Sequence, residues 1–180
     1  MRSWMIKSLL LLLIPIPVIA SSYPHWGGSL SIPIITKDPK YLYGYRAALW
    51  YQPESLLWER TRIYFDASFG RWWVTNSRHN KSLNIYSASP TLRYYFTNRS
   101  PSLFFNLSIG LAYLTRTRIA YRNLGMHFAF QDQVGIGISF GKKKQFSVSL
   151  SSMHYSNGSL CNKNGGITIP VMMNAEYGFA

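Results

Sequence analysis

The sequence predicts an all-β protein, an eight-stranded antiparallel transmembrane barrel of the bacterial outer membrane. Three observations carry that prediction. The first twenty residues have the form of an export signal. No later stretch is apolar for the 18 or more residues that a membrane helix needs. The remaining chain is unusually aromatic and poor in charge, 16% against 14%, and alternates large apolar residues with small or polar ones, as strands with one face to lipid must.

The signal segment 1–20 combines a basic start at Arg2 and Lys7, the run LLLLLIPIPVI, and Val18-Ile19-Ala20 as a small-residue cleavage site. It is too short and too proline-broken to span a bilayer as a helix, although a retained N-terminal anchor is the alternative. Residues 21–180 then form one barrel domain of about 160 residues. Taking Arg2 and Lys7 from 19 basic residues leaves 17 against 6 acids, a net charge near +11. A basic chain suits nucleic acid or anionic lipid; export excludes nucleic acid and leaves lipid. Cys161 is the one cysteine, so no intramolecular disulfide forms and no cysteine-based metal site is expected.

Turn-like, charged or Pro/Gly-bearing breaks give eight strands at 28–36, 42–53, 61–75, 82–96, 102–115, 127–141, 146–156 and 167–179. An even number suits closure, which removes the unpaired edges that lipid does not tolerate. In the fifth strand Leu103, Phe105, Leu107, Ile109, Leu111 and Tyr113 oppose Asn106, Ser108, Gly110 and Ala112. In the sixth, Phe128, Phe130, Val134, Ile136, Ile138 and Phe140 oppose Ala129, Gln131, Gln133, Gly135, Gly137 and Ser139. In the eighth, Ile167, Ile169, Val171, Met173, Ala175, Tyr177 and Phe179 oppose Thr168, Asn174, Glu176 and Gly178, which sets Glu176 in the lumen beside an interior arginine. Trp50, Tyr51, Trp72, Trp73, Tyr94 and Tyr95 near strand ends read as membrane girdles and argue against a soluble sandwich or lipocalin-like barrel.

With both termini periplasmic, the outer loops are 37–41, 76–81, 116–126 and 157–166. They carry Lys37, Lys40, Arg78, Lys81, Arg116, Arg118, Arg122 and Lys163 against the single acid Asp38. Such a cationic rim complements anionic lipopolysaccharide, and Arg116, Arg118 and Arg122 are the candidates to hold a phosphorylated sugar. The periplasmic run Lys142-Lys143-Lys144 reads as solvated charge.

The seventh strand ends in chemistry. Ser152, His154 and Ser156 continue the lipid-facing parity of Phe146, Val148 and Leu150, while Ser147, Ser149 and Ser151 face in. A histidine and a serine on the lipid face at outer-leaflet depth are costly as decoration and apt for an interfacial esterase. Imidazole can take the serine proton and return it to the leaving alkoxide. Asn157, Gly158 and the next amides follow the nucleophile directly and are candidate oxyanion donors. The tight turn near 142–145 pairs residues so that Asp132, the one charge on its strand's apolar face, lies across from His154; it is the candidate supporting acid or headgroup contact. His25, His79 and His127 lack partners at ligand spacing, so no metal and no cofactor is expected.

HYSNG at 154–158 followed by N-x-G-I at 164–167 resembles the signature of PagL-type lipid A deacylases, and N-L-G at 123–125, F-x-D at 130–132 and G-x-G at 135–137 resemble the strand before it. The resemblance covers roughly residues 100–180. It implies an eight-stranded outer-membrane barrel that hydrolyses the 3-O-linked acyl chain of lipid A without a metal, with His154 as base, Ser156 as nucleophile and Asn157 in the oxyanion site. Where that family carries a glutamate, this sequence has Thr168, which accepts a hydrogen bond from imidazole but does not balance its charge. The alternatives are a structural or adhesive barrel with a degraded site, or an acyltransferase; a homodimer is left open.

Overall fold

The computed structural model describes residues 23–179, so the expected signal segment lies outside the described residues. The strands are β1 (Trp26–Ile35), β2 (Leu42–Tyr51), β3 (Thr61–Val74), β4 (Ser82–Tyr95), β5 (Ser102–Leu114), a short hairpin of β6 (Arg118–Ile119) and β7 (Arg122–Asn123), then β8 (Phe128–Phe140), β9 (Phe146–Ser156) and β10 (Ile167–Phe179). Eight of them close a barrel in the order β1-β10-β9-β8-β5-β4-β3-β2, with β1 antiparallel to β10. Every wall strand therefore has two partners, which is the condition for backbone in hydrocarbon. The eight expected strands match to within two residues at each end, and the hairpin β6–β7 rises from the loop that follows β5.

Alternation puts Leu30, Leu49, Leu107, Ile109, Ile136 and Leu150 on the outer surface, bracketed by Trp26, Tyr51, Phe140, Phe146, Tyr177 and Phe179 at one end and Tyr43, Trp73 and Tyr113 at the other. The 13 residues of β8 cover about 40 Å along the strand. At ordinary barrel tilt that is about 30 Å across the wall, the thickness of a bilayer core. Of the six aromatics expected in the girdles, Tyr51, Trp73 and Tyr94 face out, whereas Trp50, Trp72 and Tyr95 are buried inside. Consecutive residues cannot share a face of a pleated strand.

The interior has two halves. Toward the periplasm it is polar and tightly paired: Arg46 with Asp66, which Ser89 and Thr91 also approach, and Arg93 with both oxygens of Glu176 at 2.7 and 2.9 Å. The expected lumenal partner of Glu176 is thus Arg93. Toward the outside the barrel is stoppered by apolar side chains, among them Trp72, Leu114, Ile119 and Leu124 of the hairpin loop, Met153, Tyr155, Ile167 and Ile169. Fully burying each such chain contributes roughly 1.5–3 kcal/mol, so the walls β9 and β10 are rigidly backed at their outer ends.

Two expectations change here. Ile167 and Ile169 point inward, not to lipid, and Thr168 points out. The cause is a bulge: Ile169 pairs with Met153 but the next pair is Met172 with Ser151, so Pro170 and Val171 face Ser152 alone. Proline has no N–H for the ladder and belongs at such a break, and the extra residue reverses parity above it. The basic turn is also not all solvated. Lys144 is buried, its Nζ donating to the Thr97 carbonyl at 3.0 Å and lying 3.9 Å from the centre of the Tyr95 ring. Its neighbours Lys142 and Lys143 are exposed.

Candidate active site

The rows of the wall place the chemistry. On the outer face, reading across β5, β8, β9 and β10, Leu111 stands beside Phe130 and Ser156; one row lower, Ile109 stands beside Asp132, His154 and Thr168. Below these come Leu107, Val134 and Ser152. The row of Tyr113 and Phe128 lies above. His154 is thus two rows, about 13 Å along the strand, inside the outer aromatic end. The site therefore opens on the lipid-facing wall in the outer half of the barrel.

His154 and Ser156 are half-buried, both outward, at the end of β9. The bulge in β10 turns Thr168 to the same side, and His154 Nδ1 meets Thr168 Oγ1 at 2.9 Å. Along the adjoining Cε1–Nε2 edge of the ring the main chain comes close: a Cβ added to Gly166 would stand 2.8 Å from Cε1 and 3.2 Å from Nε2 of His154. Glycine is needed there for this close approach. Ser156 and His154 are not hydrogen-bonded to each other in this state; nucleophile–base contacts commonly tighten only when substrate is bound.

Asp132 sits directly opposite His154, in the register expected from the tight turn. It makes no hydrogen bond or ion pair with His154 among the described residues, and the Nδ1 position is taken by Thr168. Asp132 instead lines an outward-facing groove of about 260 Å³ with Leu107, Ile109, Val134, Ser152 and His154. A second apolar hollow, bordered by Val134, Ile136, Leu150, Pro170 and Val171, shares Val134 and Ser152 with it. Apolar hollows therefore run down the wall from the His154 row.

The loop after Ser156 departs from expectation at Asn157. This side chain is fully buried; its Nδ2 donates to the carbonyls of Leu124 and Lys163 at 2.6 and 2.8 Å, its Oδ1 accepts from Ser159 N–H, and its own N–H donates to Asn164 Oδ1. All its donors are spent, so Asn157 anchors the loop and has none left for an oxyanion. Gly158 N–H, two residues after Ser156, and Nδ2 of Asn164, whose Oδ1 holds the Asn157 N–H, have no protein partner among the described residues. Gly158 adopts φ +61°, and a Cβ there would lie 2.8 Å from the Phe130 ring.

Among the expected sugar-binding arginines, Arg116 and Arg118 are exposed, while Arg122 is half-buried with Nε donating to the Gly166 carbonyl at 2.8 Å and a terminal nitrogen 3.6 Å from Asp38. The other histidines serve local structure: Nδ1 of His25 and of His127 meet the Gln52 and Leu114 carbonyls at 3.0 and 2.6 Å. Sequence reasoning gave no role to Gly166, which stood only as the glycine of N-x-G-I, or to Asp38, which stood only as the one acid of the outer loops. The doubled glycine before Ile167 was the available sign of a close approach, and for Asp38 the sign was its standing as the one acid in a cationic rim.

A closed barrel with an ionisable residue and a serine two positions apart on its lipid side defines a class, the integral outer-membrane proteins that act on lipid. Within that class the chain belongs to the PagL family of lipid A 3-O-deacylases, whose sequence profile matches residues 40–177. It is similar to the lipid A deacylase PagL of Pseudomonas aeruginosa, 31% identical over 127 residues that make up 68% of this chain and 71% of that protein. It is also similar to the PagL of Bordetella bronchiseptica, 25% identical over 122 residues, 68% of this chain and 65% of that protein. The crystal structure of the outer membrane enzyme PagL aligns with a TM-score of 0.72 at 25% identity, over 85% of this chain and 99% of that one.

Proposed function

We propose that this barrel hydrolyses the ester-linked 3-O acyl chain of lipid A in the outer leaflet, with Ser156 as nucleophile and His154 as base. The observation that carries the reading is the pair itself: both side chains leave the wall toward lipid, and His154 Nδ1 is engaged by Thr168 Oγ1 at 2.9 Å. With the Nδ1–H donated to Oγ1, the lone pair of the imidazole is on Nε2. Nε2 takes the Ser156 proton as Oγ attacks the ester carbonyl carbon. Gly158 N–H and Asn164 Nδ2 donate to the oxyanion. The intermediate collapses, the sugar alkoxide leaves with the proton from His154, and water, activated by the same imidazole, releases the fatty acid from Ser156. Arg116 and Arg118 attract the phosphorylated sugar from the rim, and the acyl chain lies along the hollows below Asp132.

Mass spectrometry of lipid A from cells expressing the wild type and Ser156→Ala tests this. One acyl chain missing in the wild type only supports the reading, and recovery of that chain as free fatty acid distinguishes hydrolysis from transfer to another acceptor. An unmodified profile with the wild type refutes it in favour of a structural barrel.

A further inference from the structure

We propose that Asp38 and Arg122 are positioning residues that clamp the 166–168 segment around the His154 imidazole, so that Arg122 serves the reaction by holding the ring's support and not by binding the sugar phosphate. The inference rests on the esterase reading above. Thr168 holds the ring at Nδ1, and the Gly166 main chain lies against the adjoining Cε1–Nε2 edge. Between them, Ile167 is fully buried in the apolar stopper. The position of this three-residue cradle sets the position of the base.

The cradle is fixed from outside by two other loops. Past the end of β1, where bulges have interrupted its pairing with β10, the main chain of residue 38 takes hold of Thr168: Thr168 N–H donates to the Asp38 carbonyl at 2.8 Å, and the amides of Lys37 and Asp38 donate to the Thr168 carbonyl at 3.3 Å. From the β6–β7 hairpin, Arg122 Nε donates to the Gly166 carbonyl at 2.8 Å, and the Gly165 amide donates to the Asn123 carbonyl at 2.8 Å. The Asp38 carboxylate closes the ring of contacts, 3.6 Å from Arg122 and 3.3 Å from the Tyr121 hydroxyl. One guanidinium thus reaches both the carbonyl on one side of Ile167 and the residue that grips the other side. A ring oriented by a single neutral hydroxyl is held weakly, so a site with no carboxylate on the imidazole depends on its outer supports.

The test uses the refolded full barrel in mixed micelles with lipid A as substrate, comparing Asp38→Asn, Arg122→Gln, Arg122→Lys and Ser156→Ala, with unboiled-gel mobility as the folding control. Asp38→Asn and Arg122→Gln should each lower kcat about 10- to 100-fold while KM stays nearly constant. Arg122→Lys should not restore the rate, because one ammonium lacks the fork that spans both partners. The same losses should appear with dephosphorylated lipid A. A rise in KM at constant kcat, restored by lysine and absent on dephosphorylated substrate, makes Arg122 a sugar-phosphate ligand and overturns the clamp. Wild-type rates in all clamp variants, with Ser156→Ala inactive, also overturn it and leave the esterase intact. If Ser156→Ala retains turnover, the esterase reading falls instead. Nitrogen-15 shifts of the His154 ring, assigned with His154→Gln, then decide the clamp: one tautomer in the wild type and averaging in Arg122→Gln support it, and identical spectra refute it.

Discussion

Replacing Thr168 by glutamate puts a carboxylate where this chain has a hydroxyl, 2.9 Å from His154 Nδ1. In the reaction the imidazole becomes a cation, and a neutral oxygen stabilises it less than an anion does. At about 4 Å and an effective dielectric of about 20, a charge pair is worth roughly 4 kcal/mol. Both side chains are half-buried at the wall's outer rim, so water and salt reduce this, and desolvating the new carboxylate reduces it again. A net gain of about 1–2 kcal/mol remains, which corresponds to roughly 5- to 30-fold in kcat. Glutamate is two bonds longer than threonine, and because Thr168 draws the ring toward β10, the added length moves it back toward Ser156. The reverse change, Thr168→Val, removes one neutral hydrogen bond of about 1 kcal/mol and should slow the enzyme about fivefold. Initial rates of fatty-acid release from lipid A in mixed micelles measure both. If Thr168→Glu is folded and no faster, or Thr168→Val no slower, while Ser156→Ala is inactive, the assignment of Thr168 as the group that steadies the imidazole is wrong.

Two further outcomes are expected. Asn157→Ala removes three buried hydrogen bonds of the loop anchor and should expose residues 157–166 to limited proteolysis while lowering the rate at least about 10-fold; lost activity with a fully protected loop contradicts the anchor role. Burial, and next the nearby Arg62 charge, push the Lys144 ammonium down to about 8. The unfolded chain therefore binds more protons between pH 8 and the normal lysine range, so wild-type stability should rise with pH across that window relative to Lys144→Met. Thermal unfolding in detergent at pH 7, 8, 9 and 10 reads the difference, and a falling difference refutes it.

The barrel, its strand boundaries, the outward parity of His154 and Ser156 and the position of Asp132 opposite His154 were all legible in the order of residues along the chain. Each follows from a period of two and from one tight turn that sets register, which are local properties of the chain. Which of several distant groups each polar side chain meets emerged only in the folded barrel. A proline bulge turned Thr168 onto the outward face of His154 and Ile167 and Ile169 into the stopper. Leu124 and Lys163 carbonyls took the Asn157 amide away from the oxyanion, Gly166 and Asp38 took Arg122 away from the rim, and the Tyr95 ring drew Lys144 out of solvent. In each case the side chain had more than one partner within its chemistry, and only folding brought one of them within reach.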